Sequence, residues 1–313
     1  MKVRFGHRKE YTMQSSPLAE ALEFMRRNAV PVNATVPQRR ALLEARAHAL
    51  PMFPGAHIDA VREKEVNAEW LTVGGGDDIV MLFIHGGGYV AGSAEGSRDL
   101  VARLCSAGRL KALSIDYRLA PESPFPAAIE DCAKAYRWLI SQGVDARSIA
   151  LVGASSGGGL VAATLLALRN AGVKLPGCAV CISPFVDMTV SSDSLRRGPG
   201  QDVMDPGVIR SFAHIYLNGQ DPRQPLASPV FADMAGLPPL LIQVGSVEVL
   251  LDEARALKAR AMECGVHVTC TEWESMFHGW HAFAATLLEG AEAIAQIGAF
   301  VREHCTAAAH LNG

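Results

Sequence analysis

The sequence predicts an α/β protein with a mostly parallel central sheet flanked by helices on both faces. Three observations predict it. Short apolar runs lack the polar alternation of half-exposed strands, helical stretches lie between most of them, and reactive motifs sit just past several of their ends. The runs are Val80–Ile84 and residues 112–117, 149–152, 178–183, 240–244 and 266–271. The helical stretches are residues 127–141, 157–170, 206–217, 250–264 and 282–304.

The first sixty residues read differently. Leu18, Ala21, Leu22 and Met25 share a helical face behind Pro17, which suits a first helical position. A second helix is expected over residues 39–50, after Pro37, and the Pro-rich segment 51–55 ends it.

Composition removes several function classes. Of 313 residues, 49% are hydrophobic and 19% charged, which supplies a large core and excludes a mostly disordered chain. With 29 Lys and Arg against 32 Asp and Glu, the net charge is −3, so no broad positive field exists to grip nucleic acid. No apolar run reaches the roughly 18 residues of a membrane span. The polar start, residues 1–14, is followed by no apolar signal core, so a cytoplasmic protein is expected. The 7 cysteines are scattered, as reduced thiols would be. Cys178 and Cys181 form a C-x-x-C inside an apolar strand, where a spacing of three sends them to opposite faces and away from shared metal or redox work.

The motifs point to acyl transfer. Gly153-x-Ser155-x-Gly157 lies between a strand and a helix, where a tight turn needs small neighbours and the helix start favours developing negative charge. His85-Gly86-Gly87-Gly88 follows the strand Val80–Ile84. Bare glycine amides there suit an oxyanion hole formed by Gly86, Gly87 and Gly88, with the amide of Ser156 as a further donor. His85 itself suits a structural bond to the loop. The base is expected to be His278, in the loop before the last helix. His281 would face elsewhere, His267 would be committed inside a strand, and His304 and His310 lie near the carboxyl end. His278-x-x-His281 has no nearby Cys or carboxylate to complete a metal site. For the orienting acid, Glu248 in a post-strand loop is favoured over Asp252, a turn into the following helix, where a carboxylate also complements the helix dipole. No metal and no organic cofactor is required. Arg118 and Glu122 read as a structural ion pair or buried network.

His85-Gly-Gly-Gly88, Asp116-Tyr-Arg-Leu-Ala-Pro-Glu122, Gly153-Ala-Ser-Ser-Gly-Gly158, Glu248-Val-Leu-Leu-Asp252 and Phe277-His-Gly279, in this order, resemble the bacterial hormone-sensitive-lipase family of α/β-hydrolase esterases. The resemblance runs from about Val66 to the last helix. It implies an α/β-hydrolase fold and a carboxylesterase of short acyl esters with Ser155, Glu248 and His278 as triad. It further implies a small helical cap and, often, a homodimer. The expected division is a cap segment over residues 1–60 and a catalytic domain over 61–313, with a second cap insertion at about 186–225. The chain departs from the family pattern at Ala154 and Ser156, where Asp and Ala are usual, and at Glu248, where many members have Asp. Ser156 thereby offers a second hydroxyl. Rival functions on the same scaffold are hydrolysis of a lactone, amide or acylated sugar, and non-catalytic binding of a small ligand. The binding proteins typically lack the histidine.

Overall fold

The computed structural model describes residues 16–63, 66–75, 78–196 and 202–305. The polar start (1–14), His310 and part of the expected second cap insertion lie outside them. The strands are β1 (Ala56–Glu63), β2 (Val66–Val73), β3 (Val80–Ile84), β4 (Lys111–Ile115), β5 (Ile149–Ala154), β6 (Cys178–Ile182), β7 (Leu240–Gly245) and β8 (Val268–Trp273). They form one sheet in the order β1-β2-β4-β3-β5-β6-β7-β8. The pairings β1–β2 and β2–β4 are antiparallel, and every pairing from β4 to β8 is parallel.

The helices are α1 (Pro17–Arg27), α2 (Val36–His48), α3 (Arg98–Gly108), α4 (Ala127–Ser141), α5 (Ser156–Asn170), α6 (Pro206–Leu217), α7 (Leu251–Glu263) and α8 (Leu288–His304). On one face of the sheet, Met81, Phe83, Val152 and Val180 pack with Leu104 of α3 and Ile297 and Val301 of α8. On the other, Leu82, Ile84, Leu151 and Ile242 pack with Tyr136 of α4, Val161 of α5 and Leu257 of α7. Burial on both faces is why these strands lack polar alternation. Cys178 belongs to the first face and Cys181 to the second, and all 7 cysteines are free.

Four expectations change. β1, β2 and α3 are additional elements. β2 shows why: its residues are only intermittently buried, so it carries no continuous apolar run. The last helix begins at Leu288 instead of residue 282, because Trp280–Phe283 form a separate 3-10 turn. His267 lies just before β8, not inside a strand. Arg118 and Glu122 do not pair with each other and are exposed. Arg118 binds Asp131 at 2.8 Å and Glu130 at 3.0 Å, while Glu122 binds Arg40 of α2 at 2.6 Å. A spacing of four aligns side chains only on a helix, and this stretch is a loop.

Ile84 pairs with Gly153, so β3 and β5 end side by side and release their glycine-rich loops into the same space. Helices α1, α2 and α6 roof that space. The Ser16 hydroxyl caps α1 by accepting the Ala19 amide, and Asp205 caps α6 by accepting the Gly207 amide. Ala21 and Met25 of α1 cluster with Phe277, Trp280 and Phe283. Arg40 of α2 donates to the carbonyls of Val90 and Ala120, and Ser93 donates to Glu44 of α2 at 2.6 Å.

Candidate active site

Ser155 stands at the turn from β5 to α5 with φ +56° and ψ −120°, a conformation costly for a residue with a side chain. Its surroundings hold it there. Its amide donates to Ile182 O at 2.8 Å, and its carbonyl accepts from the amides of Gly158 and Phe185 at 3.0 Å each. Gly153 and Gly157 are required by close approach. A Cβ at Gly153 would lie 2.3 Å from Gly157 O, and one at Gly157 would lie 2.0 Å from Ile84 O.

Gly86, Gly87 and Gly88 line the same cavity as Ser155 and His278. Gly87 adopts φ +129°, open to glycine alone. Among the described residues, no hydrogen bond takes up the amides of Gly87, Gly88 or Ser156. His85 is buried behind the loop, its Nδ1 2.8 Å from Gly86 O and its ring stacked on Tyr117. Burial pushes its pKa down and keeps it neutral.

His278 reaches Ser155 from the loop between β8 and the 3-10 turn. Its Nε2 is 3.1 Å from Ser155 Oγ, and its Nδ1 is 2.8 Å from Glu248 Oε2. The Nδ1–H donates to the carboxylate, which leaves the lone pair of Nε2 facing the Ser155 hydroxyl. Glu248 is fully buried just past β7. Its other oxygen accepts from Ser183 Oγ and from the Gly245 amide, both at 2.7 Å. Asp252 is committed elsewhere: it accepts the Ser194 amide at 2.7 Å and pairs with Arg255 at 3.3 Å.

The remaining candidates separate cleanly. Ser155 lines the cavity, whereas Ser156 is fully buried and does not. His281 donates from Nε2 to Gln243 Oε1 at 2.9 Å, the Gln243 amide nitrogen being engaged by Ala293 O and Gln296 Oε1. Burial, and then the charge of His278, push the pKa of His281 down to about 3. Among the described residues no group of three or more His, Cys, Asp or Glu could hold a metal ion.

Two participants were not legible in the sequence. Ser183 holds Glu248, and Asp202 holds the histidine loop. The Asp202 carboxylate accepts the amides of His278 at 2.9 Å and Val249 at 3.0 Å. Its pKa is raised, first by burial and then by the charge of Glu248. Ser183 and Asp202 stand 65 and 46 residues from Glu248, and no local pattern marks either. For His278, burial favours the neutral form, but the hydrogen bond and charge of Glu248 and the charge of Asp202 outweigh it, and the pKa rises.

The sheet order, the strained serine after β5 and the aligned glycine loops define an α/β-hydrolase. A family model described as the alpha/beta hydrolase fold matches residues 81–282, and the chain belongs to that family. It is 43% identical over 291 residues to an acetyl-hydrolase of Streptomyces hygroscopicus, covering 93% of this chain and 97% of that protein. It is 31% identical over 263 residues to an esterase of Acinetobacter venetianus, covering 83% and 87% respectively. Among solved structures, an esterase from the bacterial hormone-sensitive lipase family matches with a TM-score of 0.89 and 42% identity, over 94% of this chain and 99% of that one. Within its family the chain is therefore of the bacterial hormone-sensitive-lipase type, and it is a carboxylic ester hydrolase. No described helix is long and apolar enough to cross a membrane.

Proposed function

We propose that the chain hydrolyses short-chain carboxylic esters by two-step acyl transfer through Ser155, His278 and Glu248. The observation that carries this is the hydrogen-bonded line from Ser155 Oγ through the imidazole to the buried carboxylate. His278 takes the hydroxyl proton as Ser155 attacks the carbonyl. The oxyanion forms against the amides of Gly87, Gly88 and Ser156, with Gly86 shaping the approach. His278 then protonates the leaving alcohol, and water repeats the sequence to free the acid. Glu248 fixes the tautomer and stabilises the imidazolium, while Ser183 and the Gly245 amide keep that carboxylate aimed. One oxyanion donor contributes about a hundred- to a thousand-fold in turnover.

The short-chain preference is supported by a cavity of about 230 Å³ whose roof carries Met25, Leu43, Met204, Ile209 and Phe212. The relative named an acetyl-hydrolase supports the same preference. The test is an organophosphate probe followed by mass mapping. Label on Ser155 is expected; label on Ser156, or none, overturns the assignment. Across a series of 4-nitrophenyl esters, kcat/KM should peak at or below butyrate, and a steady rise to long chains contradicts the short-chain preference.

A further inference from the structure

Helix α2 and the turn that follows it bring residues 43, 46, 47 and 50 to the wall of the cavity that holds Ser155 and His278. The first three share one face of the helix. Leu43, Ala47 and Leu50 are what an apolar pocket wall requires; Arg46 is not. It is half-buried, and among the described residues lining this cavity it is the sole Lys or Arg.

Every other charged group there is engaged. Glu44 accepts the Ser93 hydroxyl at 2.6 Å, and Asp99 pairs with Arg103 at 2.8 Å. Neighbouring arginines of the roof are engaged too: Arg39 donates to the carbonyls of Ala34 and Val32, and Arg40 binds Glu122. Among the described residues, Arg46 makes no hydrogen bond and no ion pair. Its charge nevertheless reaches the imidazole of His278 and opposes its protonation. Loss of water around it pushes its pKa down to about 10, so it stays cationic at neutral pH. A half-desolvated guanidinium beside a reaction centre, with five donors and no partner, is complementary to a carboxylate.

We propose that Arg46 is an anion subsite, so that the ester this enzyme takes best carries a carboxylate in its alcohol or acyl half. This rests on the esterase reading above and narrows it. Arg46 takes no part in making or breaking the ester bond. It fixes the distal end of the substrate while Leu43, Ala47 and Leu50 contact the carbon chain.

The test compares two matched substrate pairs. Phenyl acetate against 3-carboxyphenyl acetate places the charge on the leaving half; ethyl butyrate against monoethyl succinate places it on the acyl half. In the wild type, kcat/KM for the charged member of at least one pair should exceed that of its neutral partner. Arg46→Gln should reduce that charged-to-neutral ratio at least tenfold, equivalent to about 1.4 kcal/mol, and Arg46→Lys should retain most of it. Because the ratio is taken within one variant, a general loss of folded enzyme cancels from it. A second readout is the acid limb of kcat/KM on the neutral esters, which should move to higher pH in Arg46→Gln, since a cation opposing protonation of His278 has gone. A ratio that is the same in wild type and Arg46→Gln, or a wild type that prefers the neutral member of both pairs, overturns the subsite. The failures are distinguishable. Neutral esters cleaved with label on Ser155 but an unmoved ratio sink only the anion subsite. No cleavage of either pair and no label on Ser155 sink the catalytic assignment, and the subsite with it.

Discussion

The floor and the roof of the reaction cavity are held by opposite means. The floor is main chain against main chain: Gly153 against Gly157, Gly157 against Ile84 O, and the Ser155 carbonyl gathering three amides. Those contacts do not depend on the identity of any side chain. The roof hangs on side chains. Arg40 reaches the carbonyls of Val90 and Ala120, Ser93 reaches Glu44, and Met25 sits among aromatic rings. The turn that presents Ser155 is thus built into the backbone, while the roof above it rests on replaceable contacts.

The largest test breaks the floor. Gly157→Ala places a Cβ 2.0 Å from Ile84 O, and relief requires the turn itself to move. A loss of about 3 kcal/mol or more is expected, seen as a fall in the thermal unfolding midpoint together with esterase activity. An alanine variant with the wild-type midpoint would remove the contrast. Ser155→Ala sharpens it, because it keeps every main-chain contact and deletes one hydroxyl. Ester turnover should fall by roughly ten-thousand-fold or more, with the unfolding midpoint within a few degrees of wild type.

Where roof and floor meet, pH reports the contact. In the proposed mechanism neutral His278 is the form that acts, and Glu248 and Asp202 raise its pKa above the ordinary 6.5. Activity should therefore be lost as pH falls through a value above 6.5. Asp202→Asn removes one of the two negative charges, so the acid limb of kcat/KM should move to lower pH. A limb that stays put would show that Asp202 acts only by position. The smallest effects belong to the roof's outer anchors. Arg40→Ala loses the carbonyl bonds and should cost roughly 1–2 kcal/mol, appearing as faster limited proteolysis within α1 and α2 and a raised KM. Glu122→Gln removes only an exposed partner and should cost less than about 1 kcal/mol.

The same division decides what could be read from the sequence. The floor is written locally: a strand packed on both faces becomes an apolar run, and a close approach of main chains becomes a cluster of glycines. Val80–Ile84 with its three glycines, and the apolar run 149–152 leading to Ser155, are legible for that reason. Glu248 could be preferred to Asp252 because loop and helix positions differ in freedom of reach. Contacts between distant segments have no local mark. Asp202 under the histidine loop, Ser183 against Glu248 and Arg40 against Glu122 are set by tertiary folding alone, and the short separation of Arg118 and Glu122 suggested a pair that the loop does not make. β2 escaped because intermittent burial leaves it no apolar signature.

The bond from Asp202 to the main chain of His278 carries a consequence for anyone transplanting roofs between related esterases to alter substrate range. The graft nominally concerns only the pocket wall, yet its stump carries Asp202, whose carboxylate seats the loop of His278. A chimera joined downstream of Asp202 keeps the host's own support for that loop. One joined upstream imports a foreign support, and its turnover on even the simplest ester then depends on whether the donor supplies an equivalent carboxylate.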